Sequence, residues 1–334
     1  MEYNFIEELQ KKVQANPPSI VFPESEEEKI LQVVRMVKDR NIAIPVLLGN
    51  KEEICAHAAQ MGISLEGIEF VNPADPGRLE RYARLFREMN PEFSEKMIGR
   101  MLRSPLNFAA MMVKFDDADT FIAGLAHTTG DVVLASQTII GMMEGIKTVS
   151  SIGILSVPGF KGPQGNLMVI GDCAVCPNPD ANELADIAIA SADTVKNLLE
   201  WEPRVAMLSF STKGSGEHEI VQKVIDSVGI ARQRCPVLKI DGEFQLDSAI
   251  VPEVADRKVK MESEVAGKAN ILIFPDLNAG NIGVKLVQRF AGCSAYGPLL
   301  QGFAKPVSDM SRGAPLDEML GGITMLAVRA MKNK

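Results

Sequence analysis

The feature that most constrains this chain is an alternation of short apolar runs with longer amphipathic segments, sustained over most of its 334 residues. Four or five apolar residues in a row are too few for a stable helix and read as a strand buried on both faces. Apolar positions recurring three and four apart read as a helix that covers such a strand. Repeated many times, the pattern implies mostly parallel sheets with helices on both sides. It predicts strands at 19–23, 44–48, 68–71 and 120–123, with helices over 51–61, 78–90 and 94–114. Ser25 stands three residues before Glu28, the spacing of a capping box, ahead of the helical run ILQVVRMVKDR. After a helix ending near residue 146, the segments 151–157 and 166–171 follow each other with no helix between them, which predicts an antiparallel excursion. Alternation then resumes, with strands at 205–210, 236–240, 270–274 and 296–301. The intervening helices are expected over 182–200, 217–230, 243–257 and 279–292, and a last one over 316–332.

The length suits two domains. No flexible linker divides them, so they are expected as 1–146 plus 302–334 and as 147–301, with the active site in the cleft between. The formal net charge of −8 comes without a basic cluster, which argues against a nucleic-acid partner but permits a local anion site. No apolar run approaches the roughly 20 residues of a membrane span, and the amphipathic start lacks the features of a leader. Five scattered cysteines do not resemble a secreted disulfide framework. The expectation is a cytoplasmic protein with no membrane association.

Ligand sites in α/β sheets lie beyond the carboxyl ends of the strands, so the loops there carry the search. The run Lys305-Pro306-Val307-Ser308-Asp309-Met310-Ser311-Arg312-Gly313 precedes the final helix, whose first turn holds Asp317 and Glu318. A guanidinium there can hold phosphate through two parallel bonds, and Ser311 offers a short hydroxyl. Acids in a first helical turn also complement the helix dipole, and spacing alone favours that plainer reading slightly. The second loop, 124–131, combines His127, Thr128, Thr129 and Asp131 at a strand's end. Its amides and hydroxyls suit phosphate, and they suit an ordinary N-cap equally. The third, 209–216, reads Ser-Phe-Ser-Thr-Lys-Gly-Ser-Gly, which lacks the spacing of a phosphate-binding P-loop. Cys173 and Cys176 have metal-ligand spacing but no second pair, so structural thiols are expected. Asp241, Glu243 and Asp247 read as solvated acids at a helix start.

Beyond these pieces the chain resembles the phosphate acetyltransferase (phosphotransacetylase) family, including the form associated with ethanolamine use. The resemblance is carried by VAMLSFSTKGS at 205–215, DGEFQLD at 241–247, GKAN with FPDLNAGNI between 267 and 282, and YGP at 296–298 through Ser311-Arg312-Gly313. It extends over essentially the whole chain and is densest from about 150 to 313. What it implies is a homodimer of two-domain subunits, each domain a three-layer α/β structure, with an architecture like that of isocitrate and isopropylmalate dehydrogenases. The implied reaction moves an acetyl or other short acyl group between coenzyme A and inorganic phosphate, with acetyl phosphate as the other partner. It runs in a ternary complex with no metal and no tightly bound cofactor, coenzyme A being a substrate.

The resemblance also assigns roles. The hydroxyl of Ser311 polarises the acyl carbonyl, Arg312 binds phosphate, and an acid seven residues after the serine, here Glu318, takes the thiol proton. The family's Glu-Asp order is reversed to Asp317-Glu318, which leaves Asp317 as the alternative base. Coenzyme A contacts fall to Lys29, Arg87, His127, Thr128, Thr129, Asp131, Asn281 and Lys285. Two arginines that the family uses for coenzyme A are replaced by Leu134 and Asn90, and Arg87, one turn before Asn90, stands in. These departures motivate the alternative of a catalytically weak member acting as a binding or structural protein.

Overall fold

A computed structural model describes residues 5–332. The chain divides into two compact units, Met1–Met142 with Phe303–Lys334, and Met143–Gly302. The strands, in chain order, are β1 (Ser19–Phe22), β2 (Ile44–Leu48), β3 (Glu69–Val71), β4 (Thr120–Ala123), β5 (Ser150–Ser156), β6 (Leu167–Gly171), β7 (Arg204–Leu208), β8 (Lys239–Phe244), β9 (Ile271–Ile273), β10 (Ser294–Gln301) and β11 (Val307–Asp309).

In the first unit the described strands form a five-stranded sheet ordered β11-β4-β1-β2-β3, parallel throughout. β1 and β4 are buried almost end to end, as expected of apolar runs covered on both faces. The helix Glu28–Asp39 lays Ile30, Leu31, Val33, Val34 and Val37 into the core, and Leu316–Lys332 contributes Leu320, Ile323 and Leu326. The order of strands reverses across β1: the chain leaves it toward β2 and later returns to its other side as β4. Loops leaving the carboxyl ends of β1, β4 and β11 therefore meet at one switch point, where open α/β sheets bind ligands.

The second unit carries a six-stranded sheet among its described residues, ordered β10-β5-β6-β9-β7-β8. β5 pairs antiparallel with both β6 and β10, and the other pairs are parallel. The antiparallel excursion expected from 151–157 and 166–171 is thus present.

Several expected boundaries move, two of them at prolines. The helix expected over 94–114 is two, Glu95–Met101 and Pro105–Lys114, because Pro105 occupies the first turn of a new helix capped by Ser104. The helix expected over 243–257 is likewise Leu246–Ile250 and Pro252–Lys258. β8 runs to Phe244, past the expected end at 240, with Asp241 and Glu243 buried inside it. The helix following β4 ends at Ala135 and passes into a π-helical turn, Ser136–Ile140, well short of 146. No strand was expected at Val307–Asp309, whose three residues are too few to show a period.

Candidate active site

Glu24 organises the switch point. Ser25, expected to cap the next helix, instead turns back and donates its hydroxyl to Phe22 O at 2.9 Å, while the helix begins after Glu27 without a side-chain cap. That turn aims the Glu24 carboxylate, 5% exposed, at the loop leaving β4. Its two oxygens accept the backbone N–H groups of Gly124, Leu125, Ala126 and His127 at 2.9–3.1 Å, and the His127 ring lies 2.9 Å away through Nδ1. Burial raises the proton affinity of this carboxyl, but the bonds from His127, Leu125 and Gly124 outweigh it and hold the group below the usual carboxylate range. The amides expected to cradle phosphate are therefore occupied by a fixed internal anion.

What the loop leaves for a ligand is side-chain chemistry. Thr128 caps the helix Thr129–Ala135, and Asp131 completes the capping box through both the Thr128 amide and its hydroxyl. Thr129, next in line, is half-buried and donates to Asp309 Oδ2 at 2.5 Å. Asp309 sits at the carboxyl end of β11 and is 8% exposed; its Oδ1 is buried without a hydrogen-bond partner. Desolvation pushes its carboxyl up to about 6; the Glu24 charge adds to the rise, while the Thr129 bond, the Met310 amide and Arg312 offset only part of it. Gly124 makes the close approach of β4 and β11 attainable. Its φ is +125°, and a Cβ there would fall inside van der Waals contact of Asp309 Oδ1 and of the Met310 backbone.

The Ser311–Arg312 turn follows directly. Met310 N donates to Ala123 O, extending the β11–β4 ladder, and Ala314 N closes the turn on Ser311 O. Lys29 Nζ donates to Arg312 O and Ala314 O, both at 3.0 Å, leaving one of its three donors unspent on these carbonyls. Pinned at both ends, the turn presents Ser311 and Arg312 as exposed side chains. The positive charge of Arg312 reaches both Asp309 and Asp131. Asp317 is exposed and Glu318 half-buried in the first turn of the following helix.

The remaining expected contacts lie elsewhere in their units. Arg87 pairs with Glu95, Asn90 turns its amide back to Phe86 O, and Leu134 is 65% exposed. In the second unit Asn281 donates to Cys173 O at 3.1 Å, and Lys285 is exposed on the same helix, Leu277–Ala291.

The other motifs are absorbed by folding. In the 209–216 loop, Gly214 N and the Ser211 hydroxyl both donate to Glu243 Oε1 at 2.8 Å, Lys213 N to Glu243 O, and Gly216 N to the Ser211 hydroxyl. Asp241 is held by Lys213 at 2.7 Å, Arg232 at 2.9 Å and Ser263 at 2.6 Å, so it and Glu243 are buried strand residues and not solvated helix-start acids. Asp247 pairs with Lys258. Asp172 gathers the amides of Ala174, Val175 and Cys176, and burial pushes the Cys173 and Cys176 thiols up to about 12 and 11. Thiols held that high are inert. Among the described residues no three His, Cys, Asp or Glu side chains gather as a metal cluster would.

The profile of phosphate acetyl/butaryl transferases matches residues 4–327. A phosphate acetyltransferase from Thermoanaerobacterium thermosaccharolyticum is 43% identical, over 98% of this chain and 99% of its own. A phosphotransacetylase from Streptococcus pyogenes, 34% identical, superposes with a TM-score of 0.92 over 99% of this chain and 100% of its own. A 4-hydroxythreonine-4-phosphate dehydrogenase from Burkholderia phymatum, 12% identical, gives 0.52 over 94% and 97% and shares the fold alone, a dehydrogenase-like α/β architecture.

Proposed function

The chain belongs to the phosphate acetyl/butaryl transferase family and is an acyltransferase of the phosphate acetyltransferase kind, and we propose that Ser311, Arg312 and the acids of the next helical turn carry its reaction. The observation that supports this most directly is the pinned turn, which holds an exposed hydroxyl and guanidinium side by side at the carboxyl end of β11. The substrates are acetyl phosphate and coenzyme A in one direction, acetyl coenzyme A and inorganic phosphate in the other.

A free thiol with a pKa near 8.5 is only a few per cent ionised at neutral pH, so a positioned base helps. Glu318 takes the thiol proton of coenzyme A, with Asp317 the alternative. The thiolate sulfur attacks the acyl carbon within a ternary complex, and the C–O bond to phosphate breaks with its electron pair leaving on the phosphate oxygen. Ser311 donates to the acyl oxygen as charge develops there. Arg312 holds the phosphoryl oxygens bidentately, and its always-charged fork suits the departing dianion. Lys29 supports the turn through two carbonyls and has one donor left for coenzyme A. His127, Thr128, Thr129 and Asp131 border the phosphate end, and Arg87, Asn281 and Lys285 supply contacts to coenzyme A. The protein works as a cytoplasmic homodimer; among its described residues no helix is long and apolar enough to cross a membrane.

The deciding experiment is a thioester assay over acetyl, propionyl and butyryl phosphate with coenzyme A, with and without a chelator. Turnover unaffected by chelation is expected. Absence of turnover with all three acyl phosphates would overturn the reading.

A further inference from the structure

Of the polar groups at the switch point, one is not explained by holding the fold. Asp309 is nine-tenths buried, has a hydrogen-bond partner for Oδ2 and none for Oδ1, and stands beside a second buried carboxylate, Glu24. Glu24 is matched by four amides and an imidazole. Asp309 has the Thr129 hydroxyl and a weaker pull from the Met310 amide, which is itself committed to Ala123 O. A buried acid left in that condition is costly as an anion and comfortable as a neutral acid.

Its partner is the hydroxyl that borders the candidate phosphate position. When Asp309 is ionised, Thr129 must spend its only hydrogen on Oδ2, and Oγ1 can then offer an incoming anion nothing but lone pairs. When Asp309 carries a proton on Oδ2, the carboxylic O–H donates to Thr129 Oγ1. The Thr129 hydrogen is then released to rotate outward and donate to a phosphoryl oxygen. The two arrangements differ by one proton, taken from solvent, and no other bond is made or broken. The charged and titratable groups around the pair come from every neighbouring segment: Glu24 after β1, His127 and Asp131 around the loop after β4, Arg312 on its own turn, and Lys29 on the helix behind that turn. Glu24 favours the protonated state and Arg312 opposes it.

We infer that Asp309 is a positioning residue that makes phosphoryl binding proton-coupled: an anion bound at Thr129 selects the protonated carboxyl, and ionised Asp309 turns the same hydroxyl into a poor site. This rests on the phosphate acyltransferase reading and adds to it a proton taken up on binding. The carboxyl's elevation to about 6 puts the change between about pH 5.5 and 7.5.

The test is the Michaelis constant for acetyl phosphate from pH 5.5 to 7.5, in wild type and in Asp309→Asn, at saturating coenzyme A. The amide of the variant donates to Thr129 permanently, and the substrate's own ionisation cancels in the ratio of the two constants. If only the protonated fraction binds, that ratio (wild type over variant) rises about tenfold or more across the range. Turnover with a ratio that stays flat would overturn the inference while leaving the acyltransferase reading intact; no turnover in the wild type would overturn the reading itself. Should Asp309→Asn not fold, Thr129→Val and Thr129→Ser carry the same comparison. The wild-type-to-valine ratio is expected to rise with pH, since valine has no hydroxyl to couple to Asp309, and the wild-type-to-serine ratio to stay flat; equal behaviour of the two overturns the inference.

Discussion

Each unit contains a loop that leaves a parallel strand and wraps backbone amides and one side chain around a buried glutamate. In the first unit Glu24 gathers the loop after β4; in the other unit Glu243 gathers the loop after β7. By composition the loop after β7 is the better phosphate site, with its Ser-Thr-Lys-Gly-Ser run. The contacts reverse that ranking. Lys213 there is committed to Asp241 and the Gly242 carbonyl, and the hydroxyls of Ser211 and Thr212 are paired with Glu243 and Ser248. In the first unit the glutamate satisfies backbone amides and one imidazole, which leaves Thr129, the orphaned oxygen of Asp309 and the guanidinium of Arg312 within reach of one another's charge. Polar residues mark a functional loop only when folding has not already consumed them.

Four measurements would separate the two loops or merge them. The largest effect is expected from Arg312→Ala, which should lower kcat roughly a hundredfold to a thousandfold in the thioester assay, the range seen when one charge-stabilising donor is lost. An unchanged circular dichroism spectrum would show that the loss is chemical. Next come Glu24→Gln and Glu243→Gln, each replacing a carboxylate acceptor by an amide that cannot accept the same set of donors. Each should cost about 2 to 4 kcal/mol in urea unfolding, but only Glu24→Gln should also depress kcat. Equal effects on kcat would erase the distinction between the loops.

The third concerns pH. Asp309 has a folded-state value raised to about 6, so its neutral form is favoured by folding. Its contribution to stability is fully present below about pH 4 and is lost as pH rises through 6. At pH 7.5, Asp309→Asn should therefore be more stable than wild type by about 2 to 3 kcal/mol, and the gain should vanish near pH 4. Asp241 runs the other way. Burial raises it, but Lys213 and Ser263 outweigh burial and lower it, so its contribution is present above its unfolded value and is lost as pH falls through the depressed one. The smallest effect is at the surface: Leu134→Arg should lower the apparent Michaelis constant for coenzyme A about fivefold, the worth of one exposed charge–phosphate contact.

How much of this was readable beforehand depended on the range of the interactions. Strand identities followed from short continuous apolar runs and helix identities from the 3.6-residue period, and the antiparallel β5–β6 pair followed from a missing helix. Helices split where Pro105 and Pro252 restart them, a local signal that the apolar period overrode. The Ser311–Arg312 turn was legible as residue types and gained roles from the family resemblance. Glu24 drew no reading, and Asp309 was named in the 305–313 run without a role of its own. Each stands at the end of a short apolar strand, but what makes it matter is a partner about 100 or 180 positions away, and no local pattern reports that. The same distance hid the occupation of the loop's amides, and the Ser25-Glu28 spacing suggested a cap that the turn toward Glu24 displaces.

The pairing of β11 with β4 has one more consequence, and it concerns time. β4 is made early in synthesis, and β11, with Asp309 and Arg312 behind it, only after all of Met143–Gly302 has followed. At ordinary elongation rates of about 5 to 20 residues per second, the nascent chain waits on the order of ten seconds with the edge of β4 unpaired and Gly124 facing nothing. This closely fitted contact is thus made late, and a chain released early would carry Lys29 and the loop after β4 but lack Asp309, Ser311 and Arg312.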